Sequence, residues 1–272
     1  MDYTDEFSGK SVVVTGGGNG IGRATVLAFA RAGANVAVVD LDGKGAEATA
    51  NEAEKLGVKA ISFATDVTKA ADVKTYVEET VAAFGTIDCF HNNAGIEGSI
   101  SPITDYDEDE FDQVLAVNVR GVFLGLKYVL PVMTANGGGA IVNTASVAGL
   151  VGTPNMSTYC ASKHAVIGLV RSVSGEVARD GVRVNAVCPG PVQTRMIDDV
   201  AKKINPDDPA GVKARYESAL PTGRYTTAEE IAGIVLFLCS NAAANVTGMH
   251  FTIDGGRTAT GGAVTNVTKS TN

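Results

Sequence analysis

The 272-residue sequence has no tryptophan, four cysteines and three histidines. No two cysteines have the C-x-x-C spacing and the histidines form no cluster, so the sequence predicts neither a metal site nor a disulfide framework. Scattered cysteines of this kind are typical of a reducing compartment, and we expect a cytoplasmic protein.

Positive charge is also scarce. Lys and Arg number 22 against 30 Asp and Glu, and the net charge of -8 argues against a nucleic-acid backbone as partner. No apolar run approaches the roughly 20 residues that span a bilayer, and the acidic N-terminus lacks the pattern of a secretory signal. The sequence therefore predicts a soluble protein that binds neither nucleic acid nor a membrane.

Glycine is abundant, at 32 of 272 residues, which is nearly twice the average of about 7%. Short, continuously apolar runs alternate with helical patterns, and such runs are typical of parallel strands that are buried on both faces. The predicted strands are 11–15, 35–39, 60–63, 87–91, 140–144, 182–187 and 249–253. Helices are expected over 23–31, ending near Gly33, and over 68–84, with Thr68 as N-cap and Gly85 closing.

This alternation predicts an α/β fold of the Rossmann type, with a doubly wound, mostly parallel seven-stranded sheet and helices on both faces. Residues 1–256 are expected to form a single domain. The charged, proline-broken segment 194–220 is long enough to be a lid, and residues 257–272 have the composition of a polar tail.

A glycine-rich turn joins the first strand to the first helix. The spacing Gly16-x-x-x-Gly20-x-Gly22 exposes backbone N–H groups at a helix N-terminus, where a dinucleotide pyrophosphate binds. Asp40 ends the second strand, where an acid can accept hydrogen bonds from a ribose 2′-hydroxyl. A purely structural turn and a helix-capping role for Asp40 are the alternatives.

The identity of the residue at the strand end predicts NAD rather than NADP. The Asp40 carboxylate would repel a 2′-phosphate, and neither Asn19 in the loop nor Leu41 after the strand offers a positive charge to hold it.

Tyr159 and Lys163 are four residues apart in a helical stretch and so share one face. A phenol has an ordinary pKa of about 10, and a fixed ammonium beside it is expected to lower that value toward neutrality. Ser146 follows the strand 140–144, at the carboxyl edge where ligands of such sheets bind. Taken alone, a Tyr-x-x-x-Lys pair more often lies on a solvated face.

Together these residues resemble a known family, the short-chain dehydrogenases/reductases, in its compact branch. The similarity runs from about residue 7 to residue 256. The matched motifs are Thr15–Gly22, Asp66-Val67, Asn92-Asn93-Ala94-Gly95, Asn118, Ser146, Tyr159-Cys-Ala-Ser-Lys163, Pro189-Gly190 and Ile253-Asp254-Gly255-Gly256.

The resemblance implies a catalytic tetrad. Tyr159 would be the acid/base, Lys163 would depress its pKa and bind the nicotinamide ribose, and Ser146 would hold the reacting oxygen. Asn118 would maintain a water-linked proton path to the lysine, with a satisfied core amide as the alternative.

The resemblance and the glycine loop together imply a set of NAD contacts, in which Asp66 and Val67 meet the adenine and Thr194 meets the carboxamide. The predicted cofactor residues are Gly16, Gly18, Asn19, Gly20, Ile21, Gly22, Asp40, Leu41, Asp66, Val67, Asn93, Ala94, Gly95, Tyr159, Lys163, Pro189, Gly190, Val192 and Thr194.

The predicted substrate residues, besides Ser146 and Tyr159, are Ala148, Met156 and Met196, with Glu97 as part of the pocket wall. An apolar pocket favours a cyclic or otherwise hydrophobic secondary alcohol, and the lid charges are interpreted as a solvated face. A 3-oxoacyl-thioester (acyl-carrier-protein) reductase and an idle nucleotide-binding scaffold are the alternatives.

The resemblance to the family also implies that the protein forms a homotetramer, or a dimer. His91 is expected to be buried and structural.

Overall fold

The computed structural model describes Tyr3 and residues 6–261. Within these residues one sheet has seven strands: β1 Ser11–Thr15, β2 Asn35–Asp40, β3 Ala60–Ala64, β4 Cys89–Asn92, β5 Gly139–Thr144, β6 Val182–Pro189 and β7 His250–Ile253. The helices are α1 Gly20–Arg31, α2 Gly43–Glu54, α3 Ala70–Phe84, α4 Glu108–Leu115, α5 Val122–Ala135, α6 Ser157–Val177, α7 Arg195–Ile204, α8 Pro209–Ser218 and α9 Ala228–Cys239.

The strands are all parallel, in the order β3-β2-β1-β4-β5-β6-β7. The chain therefore builds the sheet outward from β1 in one direction and then, from β4, in the other. The reversal opens a crevice at the carboxyl ends of β1 and β4, where ligands of open α/β sheets bind. This topology confirms the predicted doubly wound fold.

Burial of both sheet faces explains the continuously apolar strands. Val12 and Val14 face the layer of α1, α2 and α9, whereas Val13 between them faces the layer of α3, α5 and α6. All three valines are fully buried. An alternating pattern would leave one face polar, so these strands require helices on both sides.

Two glycines end helices as predicted, and one predicted cap is wrong. Gly33 and Gly85 have φ of +84° and +88°, a conformation that glycine adopts without strain. Helix α3 begins at Ala70, not at residue 68, and the N-cap is Lys69. The Thr68 hydroxyl donates to the Asp66 carboxylate at 2.7 Å, and among the described residues no N–H group of α3 donates to it.

A wide helical turn, Ala116–Gly121, joins α4 to α5 in one helix, Glu108–Ala135. By length and mean hydropathy, 1.4, this helix could cross a membrane, although the core helix of a soluble protein passes the same test. Its apolar residues Val122, Leu126 and Val129 pack in the core against α3 and α6. The expectation that no segment is long and apolar enough to span a bilayer is therefore corrected: this helix meets both criteria, and its apolar residues pack in the core.

The segment 194–220, predicted as a lid, contains the helices α7 and α8. An ion pair between Lys213 Nζ and Asp198 joins them at 2.8 Å, and Val200 and Val212 are buried beneath. Of the predicted tail, residues 257–261 are described, and Thr258 donates to the Asp254 carboxylate. Residues 262–272 lie outside the described residues.

Candidate active site

The predicted glycine loop lies at the carboxyl end of β1 and has no room for side chains. A Cβ built on Gly22 would lie 2.0 Å from the Gly16 carbonyl oxygen, and one on Gly18 would lie 2.9 Å from Asp40 Oδ2. Gly16 and Gly20 also have positive φ, at +65° and +53°. The bare backbone at the start of α1 is therefore a cradle that a Cβ would fill, as phosphate binding requires.

The loop is fixed to the end of β4 through Asn93. The Thr15 hydroxyl accepts from the N–H groups of Asn93 and Ala94, at 2.9 and 3.1 Å, and the Asn93 amide donates to the Thr15 carbonyl at 3.0 Å. The sequence analysis included Thr15 only as the first residue of the motif Thr15–Gly22 and predicted no role for its side chain. Its hydroxyl holds together the two loops that border the crevice.

His91 extends this network into the core, as expected of a structural histidine. The Thr144 hydroxyl donates to Asn93 Oδ1 at 3.0 Å, so it accepts a hydrogen bond from the N–H of His91 Nε2, at 2.9 Å. Burial lowers the pKa of His91 to about 3, so the ring is neutral. Nδ1 is then the unprotonated nitrogen, and it has no hydrogen-bond partner among the described residues.

Asp40 lies beside the glycine loop at the end of β2. Its carboxylate accepts from the Gly18 N–H and from the Asp42 N–H, both at 2.9 Å. Asp42, not Asp40, stands at the N-cap of α2, so the capping alternative for Asp40 is wrong. Leu41 next to it is 76% exposed. The carboxylate is therefore held at the rim of the cradle.

The remaining predicted cofactor residues follow the same edge of the sheet. Asp66 accepts from the Thr68 N–H and hydroxyl, hydrogen bonds that hold the pKa of its carboxyl below the ordinary value. Pro189 ends β6, and Thr194 is the N-cap of α7, with its methyl group near Gly20. The structure thus brings the loops after β1, β2, β3, β4 and β6 to one crevice. The other members of that set lie on these loops or directly beside them: Asn19, Ile21, Val67, Gly95, Gly190 and Val192.

Lys163 is buried, and its Nζ donates to the Thr144 carbonyl at 2.9 Å. Burial lowers the pKa of the ammonium to about 8. One hydrogen bond leaves the other N–H groups of Nζ free to meet a ligand. The Thr144 carbonyl, which fixes this side chain, was not predicted.

Tyr159 and Ser146 meet above the lysine. The Ser146 hydroxyl acts to lower the pKa of the phenol; it accepts from the Ala148 N–H at 3.1 Å and donates to the Pro189 carbonyl at 3.5 Å. Lys163 Nζ lies 5.6 Å from the centroid of the Tyr159 ring. The spacing of four residues therefore does place the two side chains together.

The predicted lowering of the tyrosine pKa is wrong for this structure. Burial raises the pKa of Tyr159 above its ordinary value, and the negative charge of Glu97 raises it further, against the hydrogen bond from Ser146. The ammonium of Lys163 is directed to the Thr144 carbonyl rather than to the phenol oxygen. The phenol is therefore protonated at neutral pH.

Asn118 lies fully buried in the wide turn between α4 and α5. Its Oδ1 accepts from the Ile96 N–H at 2.8 Å, and its Nδ2 donates to the Ile96 carbonyl at 2.7 Å and to the Ser162 hydroxyl at 3.0 Å. The amide is thus satisfied, which agrees with the core alternative. It also fixes the loop that carries the next residue, Glu97.

The predicted substrate residues differ in their exposure to solvent. Ala148 is buried, Met156 is half-buried and Met196 on α7 is 43% exposed. Lys203 is exposed, as predicted for a solvated face, and its Nζ also donates to the Gly98 carbonyl at 2.8 Å, which joins α7 to the loop after β4. A charged side chain in a mixed pattern gave no signal of this contact.

Comparison with known proteins identifies a matching family model and several similar enzymes. A family model described as enoyl-(acyl carrier protein) reductase matches residues 16–258. Levodione reductase from Leifsonia aquatica is 43% identical over 263 residues, which cover 94% of this chain and 97% of the relative. A 2,5-dichloro-2,5-cyclohexadiene-1,4-diol dehydrogenase from Sphingobium indicum is 42% identical and covers 93% and 99%. Cyclohexanol dehydrogenase from Acinetobacter sp. is 36% identical and covers 94% and 97%.

Two solved structures have the same fold as this chain. The crystal structure of levodione reductase superposes with a TM-score of 0.91 at 41% identity and covers 93% of this chain and 99% of that one. NAD⁺-bound xylitol dehydrogenase gives a TM-score of 0.87 at 37% identity and covers 92% and 99%.

Proposed function

The chain belongs to the short-chain dehydrogenase/reductase family and is an oxidoreductase that interconverts alcohols and ketones, and on that premise we propose an NAD-dependent dehydrogenase of cyclic secondary alcohols. The observation that carries the proposal is the placement of Tyr159 beside the buried Lys163, whose Nζ lies 5.6 Å from the centroid of the phenol ring, with Ser146 acting on the same phenol.

In this proposal the nicotinamide supplies the hydride acceptor, and the protein handles one proton. Ser146 and Tyr159 both hydrogen-bond the reacting oxygen, and Tyr159 moves the proton to and from it. Lys163 uses its free N–H groups to hold the cofactor ribose, and its charge stabilises the phenolate when that forms. Asn118 keeps the Ile96 peptide in place and maintains the proton path toward Lys163.

The preference for NAD rests on Asp40. Its carboxylate is fixed beside the Gly18 N–H, where it accepts from a 2′-hydroxyl and repels a 2′-phosphate. The presence of bound NAD⁺ in the xylitol dehydrogenase structure supports the same choice.

The cyclic substrate is proposed from one prediction and one comparison. We expect the apolar side chains of Ala148, Met156 and Met196 to form a wall of the substrate pocket, and two relatives are named for cyclic alcohols, a cyclohexadiene diol and cyclohexanol. A ring packs well against such a wall because all its carbons can be buried together.

A carrier-protein substrate, which the description of the family model names, is the second candidate. It requires basic side chains at the entrance that are free to bind an acidic partner. Lys202 pairs with Asp199 at 3.4 Å and Lys213 with Asp198 at 2.8 Å, so these lid lysines are already neutralised. The small alcohol is therefore the better fit.

We also propose a homotetramer. Phe111 on α4 and Phe123 on α5 are 41% and 45% exposed, and Met249 beside β7 is 53% exposed. Large apolar side chains at the surface of paired helices and an edge strand suit contacts between copies. Sedimentation of a monomer at micromolar concentration would contradict this.

The test is NAD⁺ reduction with a panel of cyclic, aromatic and aliphatic secondary alcohols and 3-hydroxyacyl thioesters. Tyr159→Phe removes the proton acceptor and should lower kcat by about 10²–10⁴-fold, with NADH binding unchanged. Tyr128→Phe, the same deletion on α5, is the control and should keep native activity.

Retained turnover in Tyr159→Phe would contradict the assignment. Tight NADH binding without turnover of any substrate by the native protein would favour the idle scaffold instead. Faster turnover of thioesters than of ring alcohols would favour the carrier-protein substrate.

A further inference from the structure

Glu97 lies two residues after Gly95, on the loop that leads from β4 into the substrate side. The residue before it, Ile96, is held at both its N–H and its carbonyl by Asn118. The residue after it, Gly98, is held at its carbonyl by Lys203 of α7. The backbone on either side of Glu97 is therefore fixed, by a predicted tetrad residue and by the lid.

The Glu97 side chain has no structural partner to explain its position. It is half-buried, and among the described residues its carboxyl makes no hydrogen bond and no close ion pair. It caps no helix. A carboxylate withdrawn from water without donors is costly, and groups of this kind cluster at functional sites.

The charged and titratable groups that face Glu97 come from two helices. Lys203 and Asp199 lie on α7, and Tyr159 lies on α6. Burial raises the pKa of the Glu97 carboxyl to about 7, Lys203 lowers it and Asp199 raises it. The loop itself borders the catalytic residues, because a Cβ built on Gly95, two residues before Glu97, would lie 3.1 Å from Asn118 Oδ1 and 3.3 Å from Lys163 Nζ. The charge of Glu97 also raises the pKa of Tyr159, which agrees with this placement.

The reacting oxygen of the substrate already has its partners in Ser146 and Tyr159. An additional carboxylate in the same space can only accept hydrogen bonds, so it suits a second hydroxyl group elsewhere on the ring. The same charge, partly shielded from water, opposes a carboxylate or phosphate.

We propose that Glu97 is a specificity-determining residue that accepts a hydrogen bond from a second hydroxyl of the substrate and rejects ring alcohols bearing an anionic group. The inference rests on the proposed function and names its substrate class: neutral cyclic diols, or the corresponding hydroxyketones.

The first test compares cyclohexanediols, as 1,2, 1,3 and 1,4 isomers, with cyclohexanol, by kcat/KM with NAD⁺. The native protein should prefer at least one diol. Glu97→Leu should lower the ratio of kcat/KM for that diol to kcat/KM for cyclohexanol about tenfold. Glu97→Gln, whose amide oxygen still accepts, should keep part of the preference, and Glu108→Gln on α4 is the control.

The second test uses charge and pH. Reduction of 3-oxocyclohexanecarboxylate is compared with that of cyclohexanone at pH 6 and pH 8, because the ratio cancels titrations that affect both ketones. Below about pH 7 the Glu97 carboxyl is protonated, so the carboxylate substrate should gain relative to cyclohexanone as the pH falls. In Glu97→Gln the ratio should be higher at pH 8, and its change between pH 6 and pH 8 should be smaller than in the native protein; the change that remains comes from Lys163, whose pKa burial lowers to about 8.

The outcomes separate the two claims. If the native protein oxidises cyclohexanol but no diol is preferred, or if Glu97→Leu changes cyclohexanol and diol equally, the inference is overturned and the proposed function stands. A pH-independent ratio in the native protein also overturns it. If no ring alcohol or ketone reacts while another substrate does, the proposed function fails, and this inference fails with it.

Discussion

The two halves of the crevice differ in how their polar groups are used. On the cofactor side, the Gly18 N–H is bound by Asp40, and Asn93 is bound by Thr15. On the substrate side, Glu97 has no hydrogen bond among the described residues, and Met196 is 43% exposed. The cofactor half is thus complete within the chain, whereas the substrate half leaves its groups for a ligand.

This difference has an energetic consequence. A preformed site spends little of its binding free energy on ordering its own groups. The cofactor half should therefore respond to substitutions as rigid packing does, with large losses from small steric changes. The substrate half should respond mainly through substrate selection and KM, with smaller effects.

The largest loss of NADH affinity is expected from a substitution at Gly22, which would displace the packed glycine loop. In Gly22→Ala the new Cβ would lie 2.0 Å from the Gly16 carbonyl oxygen, so the loop must move. Overpacking of this kind costs about 3 kcal/mol, and NADH should bind about 100-fold more weakly. Fluorescence titration of NADH measures this, with circular dichroism to verify folding.

Gly233→Ala in α9 is the matched control for that substitution. Its Cβ would meet nothing within 4 Å, and alanine in a helix is favoured over glycine by about 0.5–1 kcal/mol. NADH binding should be unchanged and Tm slightly higher. A folded Gly22→Ala protein with native affinity would show that the cradle is not rigid.

An intermediate effect is expected at Asp40. Asp40→Asn keeps an acceptor for the Gly18 N–H but removes the charge that opposes a 2′-phosphate. The ratio of the Kd values for NADPH and NADH should fall about tenfold, or ~1.4 kcal/mol. Both Kd values are obtained from titrations at one ionic strength.

Asp42→Asn is the control for Asp40→Asn, because it removes a neighbouring charge at the N-cap of α2 without touching Gly18. If both variants shifted the ratio equally, general charge rather than the fixed carboxylate would set the preference. A ratio unchanged in Asp40→Asn would contradict the role proposed for Asp40.

The same contrast explains what the sequence could predict. The loop glycines are a local pattern, since one strand, one turn and one helix fix their geometry, and Asp40 ends the strand that follows that helix. The capping role predicted for Thr68 was wrong because α3 begins only at Ala70, and the Thr68 hydroxyl binds the Asp66 carboxylate instead. The sequence pattern did not determine the first residue of this helix.

The direction of the Tyr159 pKa shift was unpredictable for a different reason. The spacing to Lys163 is local, but the burial of the phenol, the charge of Glu97 and the capture of Lys163 by the Thr144 carbonyl come from three distant segments. The contact of Lys203 with Gly98 is likewise tertiary. Most of the fold and the cofactor half therefore follow from the sequence, and most of the substrate half does not.

The smallest effect on binding is expected at the contact between α7 and the loop after β4, on the substrate side of the crevice. Lys203→Met removes the hydrogen bond to the Gly98 carbonyl but keeps an apolar chain of similar length. Because this contact is exposed, it contributes no more than about 1 kcal/mol, and KM for the alcohol should rise about two- to fivefold. The Kd for NADH should stay native, since no cofactor-side contact changes.

Lys202→Met is the matched control for Lys203→Met. Lys202 is the neighbouring lysine of α7, 64% exposed, and pairs only with Asp199 of its own helix. Loss of this surface pair should leave KM unchanged. Equal KM changes in both variants would mean that helix charge, not the α7–loop contact, governs substrate binding; a weaker NADH affinity in Lys203→Met would mean that the two halves are coupled and that the contrast between them is not real.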